Sequence, residues 1–288
     1  MLNNQKMKRL INKKAKEYDI VPLQLYSLYG LEQLLMKISK SMYRDHFVVK
    51  GGYLLTSIYG LDNRSTNDLD GTIRNMSLTH ESVSKFVTFI ESPSEDGNRY
   101  FEVKQVRPIR EAFDYDGFNI KMNFLNGKSR YSIELDLTTG EMLLPTVVNQ
   151  NIKMMFEDGE INMPTYPIEQ ILADKIYTTL AYGVIDDTNS RSKDLYDIYF
   201  LTKTNKEIDY QMVNRAIKNI MYQRKEKIYL DQYIKIIDFL WLSDLQRELW
   251  LNYTRGKVFA KDLLFDTIMV SVKEFVNCLI KNQIRDDN

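Results

Sequence analysis

Residues 50–70 read KGGYLLTSIYGLDNRSTNDLD, and the fold turns on how this stretch is parsed. A short apolar run, Phe47–Val49, leads into the glycine pair Gly51-Gly52. Sixteen residues after the second glycine comes Asp68-Leu69-Asp70. Carboxylates at i and i+2 of a strand point to one face of a sheet, and the leucine between them points into a core. Two acids held that close repel unless a cation lies between them, and oxygen-only donors suit a hard divalent ion such as Mg²⁺. The glycines let backbone approach a ligand closely, and a helix starting there aims its first amides at an anion. A glycine turn for phosphates followed by a carboxylate pair for metal is a pattern that nucleotide chemistry requires.

Working outward, residues 2–17 read as a basic amphipathic helix, and Pro22 opens an apolar helix with a helical period through residue 38. Phe47–Val49 reads as a strand, Gly52–Tyr59 as a helix, Asp68–Ile73 as a strand and 79–91 as a helix. A β-rich region follows at Phe101–Val106, Gly117–Phe124 and Ser129–Leu137, the last two joined by the hairpin signal Asn126-Gly127. Asp158-Gly159 marks a second hairpin between Ile152–Phe156 and Ile161–Met163. Beyond Pro167 the period is helical over 167–182, 191–203, 209–223, 228–253 and 260–281. The expected organisation is N-terminal helices over 1–46, a mixed α/β core over 47–165, and a helical lobe over 166–288.

Composition narrows the class. Hydrophobic residues make up 44% of 288, enough for a sizeable core, and the formal net charge is zero. The charge is uneven. Lys6, Lys8, Arg9, Lys13, Lys14 and Lys16 crowd the first sixteen residues without an acid, and Lys203–Lys227 holds seven basic residues against three acidic ones. Such patches steer nucleic acid or are simply solvated helix faces. The single cysteine, Cys278, excludes a disulfide within the chain and fits a reducing cytoplasm; a buried structural role is expected for it. His46 and His80 are the only histidines, and nothing in their placement points to a zinc site or a triad. The basic start is not followed by an apolar leader segment, and no apolar run is long enough to span a membrane.

Four further constellations carry charge. Ile133-Glu134-Leu135-Asp136-Leu137 alternates strictly, so Glu134 and Asp136 share a face and either could supply a third carboxylate, or both could face solvent. After Pro167, Ile168, Ile171, Leu172 and Lys175 fall on one helical face. A lysine on an apolar stripe must snorkel out or meet an anion, a phosphate or a buried carboxylate. Arg191, Asp194 and Asp197 open a following helix on a common side, as surface ion pairing or as the acid that orients Lys175. Arg64-Ser65-Thr66, just ahead of the aspartate pair, offers a guanidinium and hydroxyls for phosphate oxygens or merely the polarity of a turn.

Together VVKGGYLLTSIYG, RSTNDLD, IELDLTTGE, PIEQILADKIYTTL and RSKDLYDIYFL, in that order over residues 47–201, resemble the AbiEii/AbiGii family of nucleotidyltransferase toxins from type IV toxin–antitoxin and abortive phage infection systems. The resemblance implies a DNA polymerase β-like α/β core with a helical C-terminal lobe completing the active site. It implies Mg²⁺-dependent transfer of a nucleotide from an NTP, GTP or a pyrimidine nucleotide, to an acceptor such as tRNA, in the cytoplasm and beside a cognate antitoxin. Carried over residue by residue, Gly51 and Gly52 contact phosphate and Asp68 and Asp70 hold metal, while Asp136 is matched through its strand as the third carboxylate; Arg64, Ser65, Thr66, Lys175 and Arg191 complete the expected nucleotide contacts. Lys175 and Asp194 match the family's functional lysine and acid. Many members carry serine at the position of Gly52, so a hydroxyl contact to phosphate is missing there. Two other readings stay open: a nucleotidyltransferase acting on a small molecule such as an antibiotic, and a nucleotide-binding protein without catalysis.

Overall fold

The structure is a computed structural model that describes residues 2–64, 66, 68–109, 117–140, 143, 146–185, 190–225 and 228–283. Two compact units divide the chain, one running through Tyr166 and the other from Pro167, with residues 142–146 grouping with the second.

In the first unit, α1 (Asn4–Tyr18) is capped by the Asn3 side chain, which accepts from the Lys6 amide at 2.9 Å. It buries only Met7 and Ile11 and leaves its lysines outward. α2 (Pro22–Ser39) opens on its proline and is buried along most of its length. β1 (Phe47–Lys50) runs directly into α3 (Gly51–Tyr59), and β2 (Asp68–Ile73) follows. α4 (His80–Glu91) begins with a capping box between Thr79 and Ser82. Then come β3 (Phe101–Ile109), β4 (Gly117–Asn126) and β5 (Ser129–Thr139), and finally β6 (Val148–Lys153) and β7 (Glu160–Thr165).

These strands form one seven-stranded mixed sheet in the order β3-β4-β5-β2-β1-β7-β6. The local pairs are antiparallel, β1 and β2 across α3 and the others as hairpins, and the pairs that join distant segments, β2 with β5 and β1 with β7, are parallel. Asn126 pairs with Ser129, so the hairpin loop is Gly127-Lys128, one residue later than the Asn-Gly signal alone suggests. Gly127 takes φ +58 at the first loop position, where hairpin turns ask for a positive value.

The β6–β7 connection is held by a buried acid. Glu32 of α2 is 0% exposed, and its Oε2 accepts the backbone N–H groups of Met155 and, at 3.3 Å, Phe156. Burial raises its carboxyl to about 8, the two amides opposing the rise and the nearby Glu157 adding to it. Tyr29 and Gln33, on the same helix, donate to Glu157 at 2.8 and 2.9 Å.

The second unit is helical: α5 (Ile168–Ile185), α6 (Ser192–Thr204), α7 (Tyr210–Arg224), α8 (Leu230–Leu242), α9 (Asp244–Thr254) and α10 (Phe265–Lys281). The continuous helix expected over 228–253 is two helices. Ser243 ends α8 and caps α9, its hydroxyl accepting from the Gln246 amide at 3.3 Å. The last helix starts at Phe265, later than its period suggested. Cys278 is half-buried rather than buried.

Candidate active-site residues in the two units

The first unit builds its charged site around the junction of β1 and α3. Gly51 is the first helical residue and has φ +67. A side chain there is excluded twice, by that backbone conformation and because a Cβ would stand 1.9 Å from Asp70 Oδ2. The Asp70 carboxylate therefore lies against the start of α3, whose first amides lack helical partners. A Cβ on Gly52 would come within 2.7 Å of Thr66 Oγ1 and 3.2 Å of an Arg64 terminal nitrogen. The space that a serine would need is taken up by Thr66 and Arg64, both buried. Thr66 in turn donates a close hydrogen bond to Asp68. The structure thus gathers Gly51, Gly52, Arg64, Thr66, Asp68 and Asp70; Ser65 lies outside the described residues.

Strand register adds what the sequence left open. Lys50 of β1 pairs with Asp70 of β2, Asp70 with Asp136 of β5, and Asp136 with Asn119 of β4. Residues directly opposite each other in a sheet present side chains to the same face. Lys50, Asp70, Asp136 and Asn119 therefore form one transverse row. Two residues along, Asp68 pairs with Glu134 and Glu134 with Lys121, a second row on that face. Ile133, Leu135 and Leu137 are buried beneath, as their alternation requires.

The two candidate third carboxylates differ in their neighbours. Lys121 forms an ion pair with Glu134 at 3.0 Å, and the Asn119 amide donates to Glu134 at 3.2 Å and to Asp136 at 2.6 Å. Burial works to raise the Glu134 carboxyl, but Lys121 and Asn119 outweigh it and hold the group below its usual range. Glu134 already has a lysine, whereas Asp136 stands beside Asp70. Among the described residues, no group of three His, Cys, Asp or Glu side chains is gathered as a ready metal cage. The donors nonetheless fit a hard divalent ion in kind: all are carboxylate oxygens on one face, and Gly51 leaves backbone room beside Asp70.

Lys50 was not singled out from the sequence. It is only 8% exposed, and its ammonium donates to Thr138 Oγ1 at 2.8 Å and lies 5.4 Å from the centre of the Tyr166 ring. Its signal was a lysine closing an apolar run immediately before the glycine pair. Asn119 was missed too, and no local pattern marks it.

In the second unit, the anion that Lys175 meets is a pair of carboxylates. Its ammonium is 3.0 Å from Asp194 Oδ1 and 2.6 Å from Asp197 Oδ2. Asp197 is 1% exposed and Lys175 12%. Arg191 reaches Asp194 at 3.5 Å and stacks 4.0 Å from the Tyr182 ring centre, while its Nε is buried without a hydrogen-bond partner among the described residues. Lys175, Asp194 and Arg191, expected together, are together. Asp197 is the member the sequence underweighted, and its spacing of three from Asp194 was the available signal.

Among the described residues no helix is long and apolar enough to cross a membrane. The chain is similar to two solved structures. One, from H. pylori and described as a nucleotidyltransferase, aligns over 90% of this chain and 95% of its own at 13% identity, with a TM-score of 0.47. The other, JHP933 from Helicobacter pylori, aligns over 90% of this chain and 92% of its own, also at 13% identity, with a TM-score of 0.45. No curated protein matches the chain. The family described as nucleotidyl transferase AbiEii toxin, type IV toxin–antitoxin system, matches residues 33–270, a span that takes in all the candidate site residues of both units. The chain belongs to this family of nucleotidyltransferase toxins.

Proposed function

We propose that this toxin transfers a nucleotide from an NTP to a hydroxyl of an RNA acceptor, a tRNA being the favoured kind, in the cytoplasm and under the control of a cognate antitoxin. The observation that carries the reading is the junction at Gly51, where helix-start amides that suit phosphate stand against a carboxylate that suits metal. Asp68, Asp70 and Asp136 would hold Mg²⁺, which would neutralise phosphate charge and ease ionisation of the attacking hydroxyl. The amides of Gly51 and Gly52, with Arg64 and Thr66, would bind and orient phosphate oxygens. Ser65 belongs to the same proposed set. In the second unit, Lys175 and Arg191 would serve the nucleotide, with Asp194 orienting Lys175.

An RNA acceptor needs a basic surface. Lys6, Arg9, Lys13 and Lys16 are exposed on α1, and Arg215, Lys218 and Lys225 are exposed on or just after α7. Arg224 packs on Tyr177 instead, and Lys227 lies outside the described residues.

The test is transfer of label from each of four α-labelled NTPs, with Mg²⁺, with and without total tRNA. Label should move to RNA. Reversal of the exposed basic residues to Glu should lower that transfer while NTP binding survives, and wild-type transfer should fall steeply with salt as counterion release demands. NTP turnover that is indifferent to RNA and flat in salt would favour a small-molecule acceptor. NTP binding without turnover would leave a binding protein.

A further inference from the structure

We propose that Lys50 is the resident cation of the carboxylate row, a positioning residue that holds Asp70 and Asp136 together before any metal arrives. The inference rests on the metal-site reading above. Its basis is the register. Lys50, Asp70 and Asp136 occupy successive strands in one row of one face. Adjacent carboxylates on neighbouring strands destabilise a sheet unless a positive charge offsets them. Lys50 supplies that charge at the row's end and is almost wholly buried there.

The ammonium is fixed in place. Lys50 Nζ donates to Thr138 Oγ1 at 2.8 Å, Thr138 is 2.9 Å from Thr72 Oγ1, and Thr72 is 3.1 Å from the Tyr166 hydroxyl. Thr138 lies two residues after Asp136 and Thr72 two after Asp70, so this hydroxyl chain runs along the same face next to the row. Lys50 is not a surface lysine free to point into solvent, being buried and tied to Thr138. A buried ammonium and the half-buried carboxylates beside it each cost more alone than together. The row is therefore stable without metal, and an arriving divalent ion must share the carboxylates with a positive charge already present.

The experiment compares wild type, Lys50→Met, Asp136→Asn and the double variant Lys50→Met/Asp136→Asn, by thermal melting in EDTA and by Mn²⁺ binding followed by electron paramagnetic resonance. Lys50→Met alone should lower the metal-free melting temperature by about 10 °C. The double variant should recover at least half of that loss, because the repulsion left behind is relieved. Lys50→Met should also bind Mn²⁺ about tenfold more tightly than wild type, since a like charge beside the ion is gone. If Lys50→Met does not fold, recovery of a folded protein by Asp136→Asn in the same chain is the expected result. Additive losses, or a Thr138→Val variant that reproduces both effects of Lys50→Met, would overturn the proposal by reducing Lys50 to a hydrogen bond. A wild type that binds no Mn²⁺ would instead break the metal reading, and the metal-free cycle would still decide the role of Lys50.

Discussion

The two units hold charge in opposite ways. In the first, the two rows across β4, β5, β2 and β1 place four carboxylates, Asp68, Asp70, Glu134 and Asp136, against two lysines, Lys50 and Lys121, with Arg64 close by at Gly52. In the second, one lysine is clasped by two aspartates from a single helix, with Arg191 at the rim. The first arrangement is rich in acid and spread across four strands of one sheet. The second is nearly balanced and closed on itself. The difference teaches where the loss of a side chain should read out as activity and where as stability.

The largest expected effect is catalytic and lies in the first unit. Asp68→Ala and Asp70→Ala should each lower nucleotide transfer by about three orders of magnitude, the worth of several kcal/mol of lost charge stabilisation. Their melting temperatures should stay within a few degrees of wild type, because an acid is removed from an acid-rich row. Transfer near the wild-type rate at saturating Mg²⁺ would end the assignment. Gly51→Ala sharpens the point by acting through geometry alone. It forces a Cβ onto Asp70 at φ +67, and it should cost about 2–4 kcal/mol in urea unfolding as well as activity.

Next comes the second unit, where the order of effects should invert. Lys175→Met removes the ammonium that stands 2.6 Å from the buried Asp197 and should cost about 3–5 kcal/mol of stability. Asp194→Asn leaves the pair of Lys175 with Asp197 intact and should cost about 1 kcal/mol. Urea unfolding of both variants checks this, and equal losses would show that Asp194, not Asp197, is the structural partner. Nucleotide affinity measured on the same proteins separates a role for Lys175 toward phosphate from its role toward Asp197.

The last effect is a pH dependence confined to the first unit. The Glu32 carboxyl titrates near 8 in the folded protein against 4.5 for an ordinary glutamate. The folded protein therefore keeps a proton that the unfolded chain releases. The resulting stability is full below about pH 4.5, is lost as pH rises through 8, and is flat above. Melting temperatures over pH 5–9 should fall by several degrees, and Glu32→Gln should remove that part of the slope. A wild-type curve superposable on that of the variant would show that the clasp on Met155 and Phe156 does not govern ionisation.

Much of this molecule was legible in its sequence. Local patterns determined the order and kind of the elements: period two around Leu69 and Leu135, period 3.6 from Pro22 and again from Pro167, the glycine pair at a helix start, and the turn signals at Gly127 and Gly159. They also placed Asp68 with Asp70, because that depends on spacing within one element, and they put Lys175 on an apolar stripe without deciding whether a phosphate or a carboxylate answers it. The break at Ser243 escaped, since a serine inside an apolar period reads as an ordinary polar position until its hydroxyl caps the next helix. Only the tertiary structure decided that Asp136 rather than Glu134 stands beside Asp70, that Asn119 bridges the two, and that Lys50 closes the row. Those relations come from the parallel pairing of β2 with β5 across more than sixty residues of chain and from the pairing of β1 with β2. A strand's alternation says which residues share a face, but its partner and register are set by the packing of the whole sheet.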